Sequence, residues 1–128
     1  MKEYIEIFKS LSDETRVRIL HLLIKADSEL CCCELTDSLE VSQYNISRHI
    51  RILENAGLVE ERKEGRWVYF SISKDKDLFK ETILKSISCI PQPLLAKDQA
   101  ELKKRLEIRT DGKCTLGIQK KHLLKKIK

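Results

Sequence analysis

At residue 57 the period of this chain changes from helical to β-like. Residues 42–56 (SQYNISRHIRILENA) place Ile46, Ile50 and Leu53 at helical spacing, and Ser42 in front of them offers its hydroxyl as an N-cap. Gly57 stands where a left-handed C-terminal cap belongs. Immediately afterwards LVEER and RWVYFSI are short β-prone runs separated by KEG, which predicts a two-stranded hairpin turning at Gly65. A capped amphipathic helix followed at once by a basic hairpin leaves few architectures open.

Upstream the period is helical. Residues 3–11 put Tyr4 or Ile5, Phe8 and Leu11 on one face. Ser12 then offers a second N-cap, and TRVRILHLLIK predicts a helix burying Val17, Leu20, Leu23 and Ile24, with Ile19 and Leu22 on its flank. A short helix from about Cys31 to Leu39 precedes Ser42. Downstream of Asp75, LFKETILKSI aligns Leu78 or Phe79, Ile83 and Ile87; Pro91 and Pro93 break the pattern, and 94–107 resumes as a polar helix. Aromatic residues make up 5% of the chain and prolines number two, which argues against an all-β sandwich and for helices. The expected fold is mainly α with a small β-hairpin. Residues 1–90 form the main domain, and 91–128 a C-terminal helix and partly disordered basic tail.

Charge locates the basic surface. Residues 1–96 hold 14 basic and 16 acidic side chains, whereas 97–128 hold 11 basic and 4 acidic. The positive balance therefore belongs to the tail and does not by itself make the folded body a nucleic-acid binder. The tail reads first as a solvated end and second as an arm that brushes phosphates.

Two short helices joined by a tight turn, the second capped by Ser42, form a helix-turn-helix. Such a unit lays its second helix in the major groove of DNA. The side chains offered there are Gln43, Tyr44, Asn45, Ser47, Arg48 and His49. Gln and Asn pair bidentately with adenine, and Arg with guanine. The hairpin tip, with Arg62, Lys63, Gly65 and Arg66, is basic and small enough to reach backbone or minor groove. A polar helix face alone is ordinary; cap, polar face, glycine stop and basic wing in this order are not.

Three stretches in order carry a resemblance: LSDETRVRILHLL (11–23), SQYNISRHIRILENAGLV (42–59) and EGRWVYFSI (64–72). On them the chain resembles the ArsR/SmtB family of metal-responsive winged-helix repressors over roughly residues 3–90. The resemblance implies a homodimer, built by the first and last helices, that binds an operator–promoter palindrome and is released by a metal or metalloid. Tyr44 departs from the family pattern, where relatives often carry Pro.

Residues 29–35 read ELCCCEL. In the family's arsenic- and cadmium-responsive members a Cys-X-Cys in this Glu-Leu frame supplies thiolates, and Cys31 and Cys33 fall on those positions, with Cys32 as an extra thiol. Soft thiophilic ions need deprotonated thiols, and a helix N-terminus favours them. As(III) and Sb(III) take three sulfurs in a trigonal pyramid; Cd(II) or Pb(II) wants more ligands. Side chains i and i+2 point about 200° apart on an α-helix. Either Cys31 therefore precedes the first turn, or chelation unwinds that turn and misaligns the recognition helix.

The third ligand stays open. Thr36 occupies the position where some relatives carry a further cysteine. Cys32 is the nearest candidate; Cys89 and Cys114 are others, from the last helix or the tail, although Cys89 reads first as a buried core thiol and Cys114 as an exposed bystander. The zinc-responsive members use Asp and His on the C-terminal helix, but 76–110 contains no His, and His122 stands alone. His21 reads as a helix-flank residue.

The resulting expectation is a cytoplasmic, non-enzymatic transcriptional repressor. It binds double-stranded operator DNA as a homodimer and is released when As(III) or Sb(III) binds Cys31, Cys33 and Cys32. Responses to Cd(II)/Pb(II) or to thiol oxidation are the alternatives. No apolar run approaches the ~20 residues of a membrane span. An enzyme lacks its usual signatures, C-x-x-C, a phosphate-cradling glycine loop, HExxH or GxSxG. A metallochaperone would leave the helix-turn-helix idle.

Overall fold

The computed structural model describes residues 1–75 and 77–124. Its elements are α1 (Lys2–Ser10), α2 (Glu14–Ala26), β1 (Leu30–Cys31), α3 (Cys32–Leu39), α4 (Gln43–Asn55), β2 (Val59–Glu64), β3 (Trp67–Ile72), α5 (Leu78–Ser88) and α6 (Pro93–Leu106), followed by a 3₁₀ turn (Lys121–Leu124). This is a winged helix-turn-helix, as the sequence predicts.

Local chemistry sets the boundaries. Asp13, rather than Ser12, caps α2 by accepting the Arg16 N–H, while the Ser12 hydroxyl donates back to the Lys9 carbonyl. Ser42 caps α4 through the Asn45 N–H. Gly57, at φ +77°, turns the chain from α4 into β2 in a conformation that costs a side-chain-bearing residue energy. In the hairpin Glu64 pairs with Trp67, leaving the two-residue loop Gly65-Arg66. Gly65 at φ +60° fits the first central position of a type II′ turn.

The sheet has a third strand that periodicity did not announce. β1 is two residues long and pairs antiparallel with β3, Leu30 opposite Phe70 and Cys31 opposite Tyr69, giving the order β1-β3-β2. Helix α3 accordingly starts at Cys32, with Cys31 as its N-cap in extended backbone (φ −88°, ψ 165°). The core joins Leu20, Leu22 and Leu23 of α2 to Leu35, Ile46, Ile50 and Leu53. Ile19 and Leu22, expected on the flank of α2, are fully buried, and so is His21 at 2% exposure. Helix α2 is covered on a wider arc than one stripe, because α4, α5 and α6 all pack against it.

Helix α6 packs on α2 and α3 and is therefore continuous with the body formed by residues 1–90. Its apolar contribution is modest, mainly Leu95 and Leu102, and ion pairs do the rest. Arg18 holds Asp98 through two bonds of 2.8 and 2.9 Å. Arg105 reaches Asp37 at 2.8 Å with both side chains almost wholly buried. Of the basic tail expected to be partly disordered, residues 107–124 run back over α3 and β3 and bury Cys114, Ile118 and Leu123. Residues 125–128 lie outside the described residues.

Candidate thiol centre and nucleic-acid interface

Three sulfurs meet where β1, the start of α3 and the C-terminal segment converge. Cys31 Sγ lies 2.9 Å from Cys33 Sγ and 2.9 Å from Cys114 Sγ, and Cys33 Sγ lies 3.3 Å from Cys114 Sγ. All three are buried, and no histidine or carboxylate joins them among the described residues. The i, i+2 problem is resolved by the backbone. Cys31 belongs to a strand and Cys33 to a helix, so both thiols point the same way with no unwinding of α3.

Each partner is fixed. Tyr69, opposite Cys31 across the sheet, accepts the Cys114 N–H with its hydroxyl at 3.1 Å. Glu34 accepts the Cys31 N–H at 3.0 Å and is itself gripped by Arg109 at 2.6 and 2.7 Å. Arg105 donates to the Leu116 and Gly117 carbonyls at 2.6 and 3.1 Å, and its Nη2 stands 3.5 Å from Cys33 Sγ. Asp37, the other partner of Arg105, accepts the N–H groups of Gln119 and Lys120. Two arginines thus lace the C-terminal segment to α3.

The electrostatics separate the thiols. Cys33 is lowered to about 7 by hydrogen bonding from Cys31, with help from Cys114 and the Arg105 guanidinium, against the opposing effect of burial. Cys31 is pushed up, first by its hydrogen bond to Cys33 and then by burial. Burial raises Cys114 as well. One sulfur is therefore poised as a thiolate and two retain their protons, which the helix N-terminus alone does not explain.

The other cysteines sit apart. Cys32 is half-buried and faces the recognition helix, its Sγ 3.7 Å from Ser47 Oγ, outside the trio. Two sequence expectations are corrected. Cys89, read as a core thiol, is exposed at the C-cap of α5, and Cys114, read as an exposed bystander, is buried at 1% exposure. Spacing gave no sign of the second, because 81 residues separate Cys114 from Cys33 and its partner Tyr69 was not singled out. Arg105, Arg109 and Asp37 were missed for the same reason: in sequence they are ordinary members of a charged chain.

On α4, Gln43, Tyr44, Ser47 and Arg48 are exposed and Asn45 is half-buried. His49 instead turns inward. It is 6% exposed, with Nδ1 3.1 Å from Arg16 Nη1 and Nε2 3.7 Å from Asp13, so it packs α4 on the start of α2. On the wing, Lys63 and Arg66 are exposed, with Arg66 stacked over Trp67. Arg62 is exposed but engaged by Glu29 at 2.8 Å and Glu64 at 3.0 Å. Between α4 and the wing lies a cavity of about 520 Å³ lined by Cys32, Gln43, Ser47, Arg51 and Trp67.

This fold, an exposed polar recognition helix beside a basic wing, defines the class of winged-helix transcriptional regulators that bind DNA. Within that class, residues 13–61 match the family described as bacterial regulatory protein, arsR family. The chain is 41% identical over 96 residues to the arsenic resistance transcriptional regulator ArsR1 of Pseudomonas putida, covering 75% of this chain and 74% of that one. It is also 41% identical over 70 residues to a cadmium resistance regulatory protein CadC homolog of Staphylococcus aureus, covering 55% and 57%. Among solved structures, HlyU of Vibrio cholerae superimposes with a TM-score of 0.59 at 30% identity, covering 67% of this chain and 88% of that one. The chain belongs to the arsR family of transcriptional regulators. No helix among the described residues is long and apolar enough to cross a membrane.

Proposed function

We propose that this chain is a homodimeric repressor that leaves operator DNA when As(III) or Sb(III) is bound by Cys31, Cys33 and Cys114. The observation that carries the reading is the all-sulfur triangle with edges of 2.9–3.3 Å. Three sulfurs with no histidine or carboxylate beside them among the described residues match the three-thiolate set that a trivalent metalloid takes in a trigonal pyramid. The likeness to an arsenic resistance regulator supports the same choice.

Cd(II) is the second reading, favoured by the likeness to a cadmium resistance regulator. Oxidation of the vicinal cysteines 31–33 to a strained disulfide is the redox alternative.

The chain's own residues supply the coupling. Arg105 adds to the lowering of the Cys33 thiol that Cys31 begins, and holds the Cys114 loop closed. Glu34 and Arg109 fix the start of α3, the first helix of the helix-turn-helix. A ligand held by all three sulfurs acts at once on β1, α3 and the C-terminal segment. A coupling of ~1–3 kcal/mol between that site and the operator changes affinity roughly 5–150-fold. Base contacts are assigned to Gln43, Tyr44, Asn45, Ser47 and Arg48, and phosphate contacts to Lys63 and Arg66, with Arg62 and His49 positioning the wing and helix.

Fluorescence anisotropy on DNA from upstream of the chain's own gene, in reductant at fixed salt, tests the reading. Arsenite is expected to release wild-type protein and not a Cys31→Ser/Cys33→Ser variant. Normal release of that variant overturns it.

A further inference from the structure

The C-terminal segment does more than deliver a thiol. Beyond Cys114 it passes under Arg105, and the backbone N–H groups of Gln119 and Lys120 seat on the Asp37 carboxylate at 2.9–3.1 Å. Lys120 Nζ then reaches Glu40 at 3.3 Å and Glu101 at 2.8 Å. Glu40 is the C-cap of α3, in the turn of the helix-turn-helix three residues ahead of Gln43. From there Leu123 buries itself and the 3₁₀ turn packs against α4. The last described residues thus lie against the recognition helix, with Lys120 tied to the turn just ahead of it.

Residues 113–128 contain six lysines and no acidic residue; of the described ones, Lys113 is held by Glu64 and Lys120 by Glu40 and Glu101, which leaves Lys121. The nearby carboxylates are already engaged, Glu40 by Lys97 and Lys120 and Glu101 by Lys104 and Lys120. Lys121 and His122 are exposed, and neither forms an ion pair among the described residues. Anchored by its neighbours and left uncompensated, Lys121 meets the requirement for a phosphate contact at low ordering cost.

We propose that Lys121 and His122 form a phosphate-contacting patch of the DNA interface, placed beside the recognition helix by the segment that carries Cys114. The proposal rests on the DNA-binding reading above. It makes one stretch of chain serve both ends of the switch, since seven residues separate the thiol from the lysine.

The test is the salt dependence of DNA affinity. Each phosphate contact contributes about 0.9 to the slope of log K against log salt. A Lys121→Gln/His122→Gln variant is expected to show a slope shallower by about 1 and affinity reduced several-fold, equally on operator and scrambled duplexes. Its melting temperature and the arsenite affinity of the free protein are expected to match wild type. Lys103→Gln, the same charge change on the exposed side of α6, is expected to leave the slope alone. An unchanged slope in the double variant overturns the proposal while the repressor reading stands. Absence of any salt-dependent DNA binding by wild type overturns both.

Discussion

At Cys33 a thiol is turned toward its anionic form by sulfur neighbours and a guanidinium, while Cys31 and Cys114 keep their protons. That difference separates the two inducer readings. Arsenite carries three hydroxyl groups, which leave as water with the protons of Cys31 and Cys114 and one proton taken up from solvent where Cys33 is a thiolate. A divalent cation brings none and must expel the protons of Cys31 and Cys114 into solvent. Lowering the pH from about 8 to about 6 is expected to weaken Cd(II) binding by about a hundredfold or more, and to leave arsenite binding unchanged or strengthen it by up to about tenfold. Isothermal titration across that range checks it. A second residue sets an acid limit on stability. His21 is buried with its Nδ1 unpartnered among the described residues, and burial, then Lys25, pushes its pKa below the ordinary value. The native state favours neutral imidazole, so this stability is present above about pH 6.5 and is lost as pH falls below it. Urea midpoints are expected to drop between pH 7.5 and 5.5, and less so in His21→Phe.

Among the elements, α3 is where the site and the DNA-binding unit share residues. Its N-cap is a ligand candidate, its first turn carries Cys33 and Glu34, and Asp37 receives both Arg105 and the returning chain. Truncating one side of a buried ion pair leaves an uncompensated charge, so Arg105→Gln is expected to destabilise the fold by about 3 kcal/mol. Urea denaturation reads the loss, and limited proteolysis after residue 106 is expected to show the segment released. The helices and hairpin were legible because Ser42, Gly57 and Gly65 punctuate strong periodic runs. β1 was not: two residues carry no period, and only pairing with Phe70 and Tyr69 makes Leu30-Cys31 a strand. The same pairing decides the chemistry, since it takes Cys31 out of helical register with Cys33. Cys114 was illegible for a different reason. Its burial depends on Tyr69, Arg105 and Ile118, contacts that no local pattern encodes.

For the whole molecule, one apolar face has no cover. Ile5, Phe8 and Leu78 are 43%, 52% and 79% exposed, and Tyr4 and Phe8 meet Phe79 edge-on at 5.0 and 5.6 Å. A preorganised aromatic patch across α1 and α5 fits the dimer interface that the family resemblance implies. Phe8→Glu is expected to yield a monomer by light scattering and to lose most affinity for a palindromic operator, with its circular dichroism unchanged.

Two single variants ask whether the inducer is held by sulfurs from both ends of the chain. Cys114→Ser and Cys32→Ser, each bound to operator in reductant, are titrated with arsenite beside wild type. Cys114→Ser is expected to keep its DNA affinity and lose release, while Cys32→Ser is released as wild type is. Release that survives loss of Cys114 and fails on loss of Cys32 would contradict the account.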